Sequence, residues 1–251
     1  MKLLTLILAL AVASESSAKK KDDRVDIITN GSPAYDGQAP YVVGMAFQQS
    51  NLWCSGTIIA DTWILTSAQC LTGSSGVTIY FGATKLTSAQ FLVSVGASQY
   101  VTGSEHLALV RIPRVGFSNR VRNVALPSLR DSSQSYENRW ATVCGYGVTT
   151  FTSGLSDWLQ CVDQQIMPNY ECVSFYGSTT VSNQILCTRT PEGRSPCFGD
   201  AGSPLVTKQG STLVGISAFV ASNGCTLGLP AGFARVTAQL DWIRRNTGIS
   251  N

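Results

Sequence analysis

Histidine is nearly missing from this chain: His106 is the only one among 251 residues. The eight cysteines contain no C-x-x-C pair. A structural zinc site draws four sulfur or nitrogen ligands, usually from closely spaced pairs, so no metal and no cofactor is expected here. Charge is also sparse, at 13% of residues with a net +3, and the basic residues are scattered. The only dense basic run, Lys19-Lys20-Lys21, is followed directly by Asp22-Asp23. A nucleic-acid binder needs a basic stripe, and none is present. Beyond the N-terminus no apolar run approaches the ~20 residues that cross a bilayer. No membrane partner is expected, and internal repeats are absent.

What is present starts with an export signal. Lys2 opens residues 1–18, residues 3–12 are apolar, and Ser16-Ser17-Ala18 closes the stretch with small side chains. That is the pattern of a cleaved secretory leader. Residues 19–27 are polar and charged, and read as a short pro-segment or linker. Eight cysteines in an exported chain point to disulfides, although roughly a hundred pairings are open on the count alone.

From Ile28 onward, short apolar runs alternate with Gly, Ser, Asn and Pro. Examples are residues 41–47, 57–59, 63–66, 77–81, 91–95, 141–143, 164–167, 213–217 and 232–236. Such spacing predicts strands of a barrel or sandwich. Residues 123–136, rich in Ser, Asp and Pro, read as a connection between two halves. Near the end, Val236, Leu240 and Ile243 recur on one helical face, with Thr237 as a candidate cap and Gly248 just past the end. The expectation is an all-β fold with one C-terminal helix.

Four segments in order carry a resemblance. They are Ile28-Thr29-Asn30-Gly31, then Trp63-Ile64-Leu65-Thr66-Ser67-Ala68-Gln69-Cys70, then Glu105-His106-Leu107-Ala108-Leu109-Val110, and last Cys197-Phe198-Gly199-Asp200-Ala201-Gly202-Ser203-Pro204-Leu205. Together they resemble the mature start, the T-A-A-H-C, the N-D-I-A-L-L and the C-x-G-D-S-G-G-P-L segments of chymotrypsin-like serine proteases. Leu159-Gln160-Cys161-Val162-Asp163 and Asp241-Trp242-Ile243 are similar to the Jonah group of insect digestive proteases. The resemblance implies two packed six-stranded β-barrels, the first over about 28–122 and the second over about 137–235. A C-terminal helix over about 236–246 completes a domain of residues 28–247. It also implies the disulfides Cys54–Cys70, Cys172–Cys187 and Cys197–Cys225, which leaves Cys144–Cys161.

All three catalytic positions implied by the resemblance are changed. Ala201 stands at the nucleophile, and a methyl group cannot attack a carbonyl. Gln69 stands at the base, and an amide cannot shuttle a proton near neutral pH. His106 stands at the carboxylate, and it supplies no negative charge to orient a base. Ser203 is the one serine that could substitute, and it would have to reach the cleft and find a base within ~3 Å.

Other positions keep their type. Gly199 and Ala201 match the turn whose amides form the oxyanion hole in the family. Ser195, Val220 and Ala231 match a specificity pocket that resembles a small, apolar, elastase-like one. Asp200 matches the aspartate that pairs with a freed Ile amine after activation. Here Ile28 follows Ile27 rather than a basic residue, and the nearest, Arg24, would leave a start three residues too long. Asp200 is therefore expected to find another partner or solvent, with zymogen-like loops around Ala201. Asn30-Gly31-Ser32 matches a glycosylation sequon, although Asn-Gly also reads as a turn.

The expected function is that of a secreted, monomeric, catalytically inactive serine protease homologue. Its expected partners are peptides, protease inhibitors or active serine proteases, in an extracellular setting such as a gut lumen. The alternative is a serine-type endopeptidase of weak or altered activity.

Overall fold

The computed structural model describes residues 28–148 and 154–249. The leader at 1–18 and the segment at 19–27 lie outside the described residues. Strand β1 (Ser32–Pro33) is only two residues long and belongs to the second sheet. The first sheet holds β2 (Val42–Phe47), β3 (Trp53–Ala60), β4 (Trp63–Ser67), β5 (Gly76–Phe81), β6 (Phe91–Gly96), β7 (Tyr100–Val101) and β8 (Leu107–Arg111). Their order is β6-β5-β2-β3-β4-β8-β7, so six longer strands carry one two-residue addition.

The second sheet adds β9 (Trp140–Gly145), β10 (Gln160–Met167), β11 (Ile185–Arg189), β12 (Pro204–Thr207), β13 (Leu213–Phe219) and β14 (Ala231–Arg235). Its order is β1-β10-β11-β14-β13-β12-β9, and a β10–β9 pairing closes the six longer strands into a ring. The architecture is thus the two six-stranded barrels that the resemblance implies.

Inward-facing residues explain the closure. Val43, Met45, Ile58, Ile64, Ile79 and Phe81 fill the first barrel. Val143, Ile166, Leu186, Leu205 and Phe233 fill the second. A third cluster joins the halves: Ile59, Leu65, Leu107 and Leu109 from the first meet Leu213, Ile216, Leu240 and Ile243 from the second. A fully buried Leu or Ile contributes about 1.5–3 kcal/mol, so this seam fixes how the barrels sit.

Two sequence expectations need correction. A helix that the apolar pattern did not signal, α1 (Asn169–Thr180), follows β10. Only Cys172 of its twelve residues is buried, so it carries no apolar stripe to read. The C-terminal helix α2 (Leu240–Thr247) follows a 3-10 turn over Val236–Gln239. Thr237 is buried inside that turn with its hydroxyl unpartnered, and does not cap α2. Gly248 ends α2 in the left-handed region, as expected.

Four disulfides tie the sheets to their loops, in the pairs the resemblance implies. Cys54–Cys70 links β3 to the turn after β4. Cys144–Cys161 joins facing positions of β9 and β10. Cys172–Cys187 holds α1 on β11, and Cys197–Cys225 holds the turn before β12 against the loop after β13.

Candidate functional site

The site is built where turns of the two barrels face each other. After β4 the chain makes a 3-10 turn over Ala68–Leu71, which carries Gln69. The Ala68 amide donates to the His106 carbonyl at 2.9 Å, setting this turn beside the start of β8. Gln69 is exposed, and its Nε2 donates to the Ala218 carbonyl on β13 at 3.0 Å. His106 is partly exposed, and its Nε2 lies 3.8 Å from Glu105 Oε1.

Ala201 sits on a tight turn from the second barrel. The Asp200 amide donates to the Cys197 carbonyl and the Ser203 amide to the Asp200 carbonyl, both at 3.0 Å. The Gly202 amide donates to the Ser217 carbonyl at 2.9 Å, and the Ala201 carbonyl accepts from the Ser55 amide at 2.8 Å. Glycine is required at 202, where φ is +86° and a Cβ would lie 2.0 Å from the Ser55 carbonyl oxygen. Ala201 is thereby pinned between β3 and β13.

These elements enclose a cleft of about 400 Å³. Gln69, Gly199, Ala201, Phe219 and Val220 line it, with Trp53 at its edge. His106, Ser195 and Ala231 do not. Ser195 and Ala231 are buried, and the Ser195 hydroxyl donates to the Pro196 carbonyl at 2.9 Å. Val220 packs on the second barrel's core, whose buried members include Ala231.

Ser203 is buried at 0% exposure, its Oγ is unpartnered, and it does not line the cleft. It faces Gly145, where a Cβ would lie 2.4 Å from that Oγ. It is therefore in no position to act as a substitute nucleophile.

Asp200 is fully buried. Its Oδ1 accepts from the Gly147 amide at 2.8 Å and its Oδ2 from the Cys197 amide at 2.9 Å. Burial pushes its carboxyl up to about 7, against the two amides that favour the ionised form. Two backbone amides therefore hold this carboxyl group. Gly145 and Gly147 make room for the carboxylate, since a Cβ at either would lie within 2.4 Å of an Asp200 oxygen.

The start of the domain is docked as well. Ile28 is at 0% exposure within the second barrel's core. Thr29 bridges Ser195, and its hydroxyl donates to the Gly193 carbonyl at 2.6 Å. Asn30 and Gly31 form the turn that Asn-Gly suggests, closed by the Gly31 amide on the Ile28 carbonyl at 2.7 Å. Asn30 Nδ2 is occupied by the Glu192 carbonyl at 2.7 Å.

Sequence reasoning missed Phe219. Its ring stands over Gly232, where a Cβ would lie 2.2 Å from Cζ. It also meets Tyr176 edge-on at 5.3 Å, and Tyr176 in turn donates to the Pro230 carbonyl at 2.6 Å. α1 thus buttresses one wall of the cleft. The available signal was an aromatic at the end of a strand, opposite a glycine.

The family model described as Trypsin matches residues 28–243. The chain belongs to the trypsin family. Serine protease 1 of Drosophila melanogaster is 45% identical over 232 residues, covering 89% of this chain and 86% of that one. Collagenase of Hypoderma lineatum is 33% identical, covering 97% and 98%. Among solved structures, HL collagenase superposes on this trypsin-family chain with a TM-score of 0.82 at 33% identity, over 89% of this chain and 100% of that one. The scabies mite inactivated protease paralogue S-D1 shares the fold, with a TM-score of 0.77 at 22% identity over 89% and 99%.

Proposed function

We propose that this trypsin-family chain is a secreted, monomeric, catalytically inactive homologue. In this reading its cleft binds peptides, protease inhibitors or active serine proteases without cutting them. The observation that carries the reading is Ala201. It occupies the tip of the turn that faces the cleft, in the position of the family's nucleophile, and it presents a methyl group. Gln69 occupies the base position and uses its amide nitrogen on the Ala218 carbonyl. His106 occupies the carboxylate position and does not line the cleft.

Magnitude supports the reading. In a protease of another fold, losing the serine or the histidine alone costs about 10⁶ in turnover. Roughly 10³–10⁴ over water survives from binding and the oxyanion hole, which is invisible against the slowness of amide hydrolysis. What survives chemically is recognition, because the backbone amides of Gly199 and Ala201 remain able to donate to a carbonyl or carboxylate. Loops on a rigid barrel pair suit that role. The leader at 1–18 and four disulfides support an oxidising, extracellular destination, and the Jonah-like segments support a digestive one.

A fluorophosphonate probe tests the reading. Purified protein is expected to remain unlabelled and to turn over neither casein nor a small ester. Labelling would instead support the alternative, a weak or altered serine-type endopeptidase. Affinity purification from the native fluid is expected to recover a partner, and substitution of Val220 by a bulky residue is expected to release it.

A further inference from the structure

Two backbone amides on the turn that carries Ala201 have no acceptor among the described residues: those of Gly199 and Ala201. Their direction is set from behind. In a trans peptide the C=O and the N–H point opposite ways, so a bond that holds one aims the other. The Phe198 carbonyl accepts from the Val148 amide at 2.7 Å, which aims the Gly199 N–H away from Val148. The Asp200 carbonyl accepts from the Ser203 amide at 3.0 Å, which aims the Ala201 N–H in the same manner. Gly199 and Ala201 are both partly exposed and both line the cleft.

Gln69 adds a third donor to the same cleft. Its Nε2 carries two protons, and the Ala218 carbonyl takes one. The other has no acceptor among the described residues. No side chain lining the cleft carries a charge, so no carboxylate there answers these donors. Asp200, which lies between two of them in sequence, is buried, and its oxygens are taken by the Gly147 and Cys197 amides. Unmatched N–H groups with no acid beside them suit an anionic oxygen.

We propose that the cleft reads chain ends: its occupant is a peptide's C-terminal carboxylate, borne on an uncharged, apolar last residue. This rests on the reading that the cleft binds without cutting, and it names the class of partner. One carboxylate oxygen takes the Gly199 and Ala201 amides, and the other takes the spare Gln69 proton. The Ala201 methyl leaves no hydroxyl between them. An internal peptide group suits the site less, because it has one oxygen and would turn its own N–H toward Gln69, donor against donor. Hydrogen bonds to an ionised acceptor are about twice as strong as neutral ones, which favours the acid end. The last side chain meets Ala218, Phe219 and Val220, an uncharged wall. Ends of this kind are what an endopeptidase releases whenever it cuts after an apolar residue.

The test uses the full chain, secreted with its own leader, and three peptides labelled with fluorescein at the N-terminus. One is Ala-Ala-Ala-Val with a free carboxylate, one is its C-terminal amide, and one is extended by Ala-Ala and ends as an amide. By fluorescence anisotropy the free acid is expected to bind about tenfold more tightly than either amide. Gln69→Leu removes the third donor and is expected to weaken the acid several-fold while leaving the amides unchanged. Gln69→Glu is expected to weaken the acid further. Arg139→Ala, outside the cleft, is expected to change neither. Equal affinities for acid and amide, a preference unmoved by Gln69→Leu, or no binding of any probe would each overturn the proposal. Equal affinities would leave a binding cleft standing, whereas fluorophosphonate labelling or shortening of the extended probe would overturn the inactive reading itself.

Discussion

Gln69 and Ala218 are joined across the cleft by a 3.0 Å hydrogen bond from amide nitrogen to carbonyl oxygen. A turn of the first barrel is thereby tied to a strand of the second. The bond is exposed, so its net contribution is about 1 kcal/mol. Gln69→Ala is expected to lower the urea-unfolding free energy by that amount. Gln69→Glu is expected to cost more, because a carboxylate then faces a carbonyl oxygen. Stability equal to that of the wild type in Gln69→Ala would show that the bond contributes nothing.

Rebuilding the chemistry tests the proposed reading that Gln69, His106 and Ala201 stand at the family's catalytic positions. Ala201→Ser alone restores a hydroxyl but no base, and is expected to stay unlabelled by a fluorophosphonate. Adding Gln69→His and His106→Asp supplies both missing partners. Ester turnover is then expected to rise by about 10⁴ or more over the single variant. Labelling of the single variant would mean that another group serves as base.

Asp200 predicts a pH dependence of stability. Its folded-state carboxyl lies at about 7, above the ordinary aspartate value of 3.8. Between those values the folded chain binds more protons than the unfolded chain, so stability falls as pH rises. At about 1.4 kcal/mol per unit, the span is roughly 4 kcal/mol at most. Asp36, Asp163 and Glu171 are shifted the other way by their Arg120, Lys208 and Arg189 partners, so the total curve mixes signs. The clean measurement is the difference between wild type and Asp200→Asn in chemical denaturation from pH 4.5 to 7.5. The wild type is expected to lose ground relative to the variant across that window. A flat difference would place the carboxyl near its ordinary value.

Gly202→Ala tests the turn that holds Ala201. The added methyl would lie 2.0 Å from the Ser55 carbonyl oxygen and 2.3 Å from Thr66 Oγ1, at a φ of +86°. Both neighbours are held by their own bond, Thr66 Oγ1 to the Ser55 carbonyl at 2.8 Å. A loss of about 3 kcal/mol or more, read by thermal melting, is expected. A loss under ~1 kcal/mol would mean that the turn can rearrange.

Legibility in the sequence followed the physics of each element. Strands such as β5 announced themselves through β-branched runs bounded by Gly and Ser, because their side chains fill a barrel. α1 did not, because it buries a single cysteine and leaves no periodic trace. Gln69 and Ala201, singled out beside a cysteine and a glycine turn, do meet at the cleft, whereas His106, at a strand start, does not line it. Phe219 was not legible, because its role depends on a glycine that is distant in sequence and opposite in the sheet. The Gln69–Ala218 bond was equally hidden, since nothing local reports which carbonyl a side-chain amide will meet across a cleft.

Ile28 is wrapped inside the second barrel. Any scissors aimed at the domain's first turn must wait for that turn to come loose. Trimming there would proceed at a pace set by how often the edge frays, and only secondarily by how much protease is on hand.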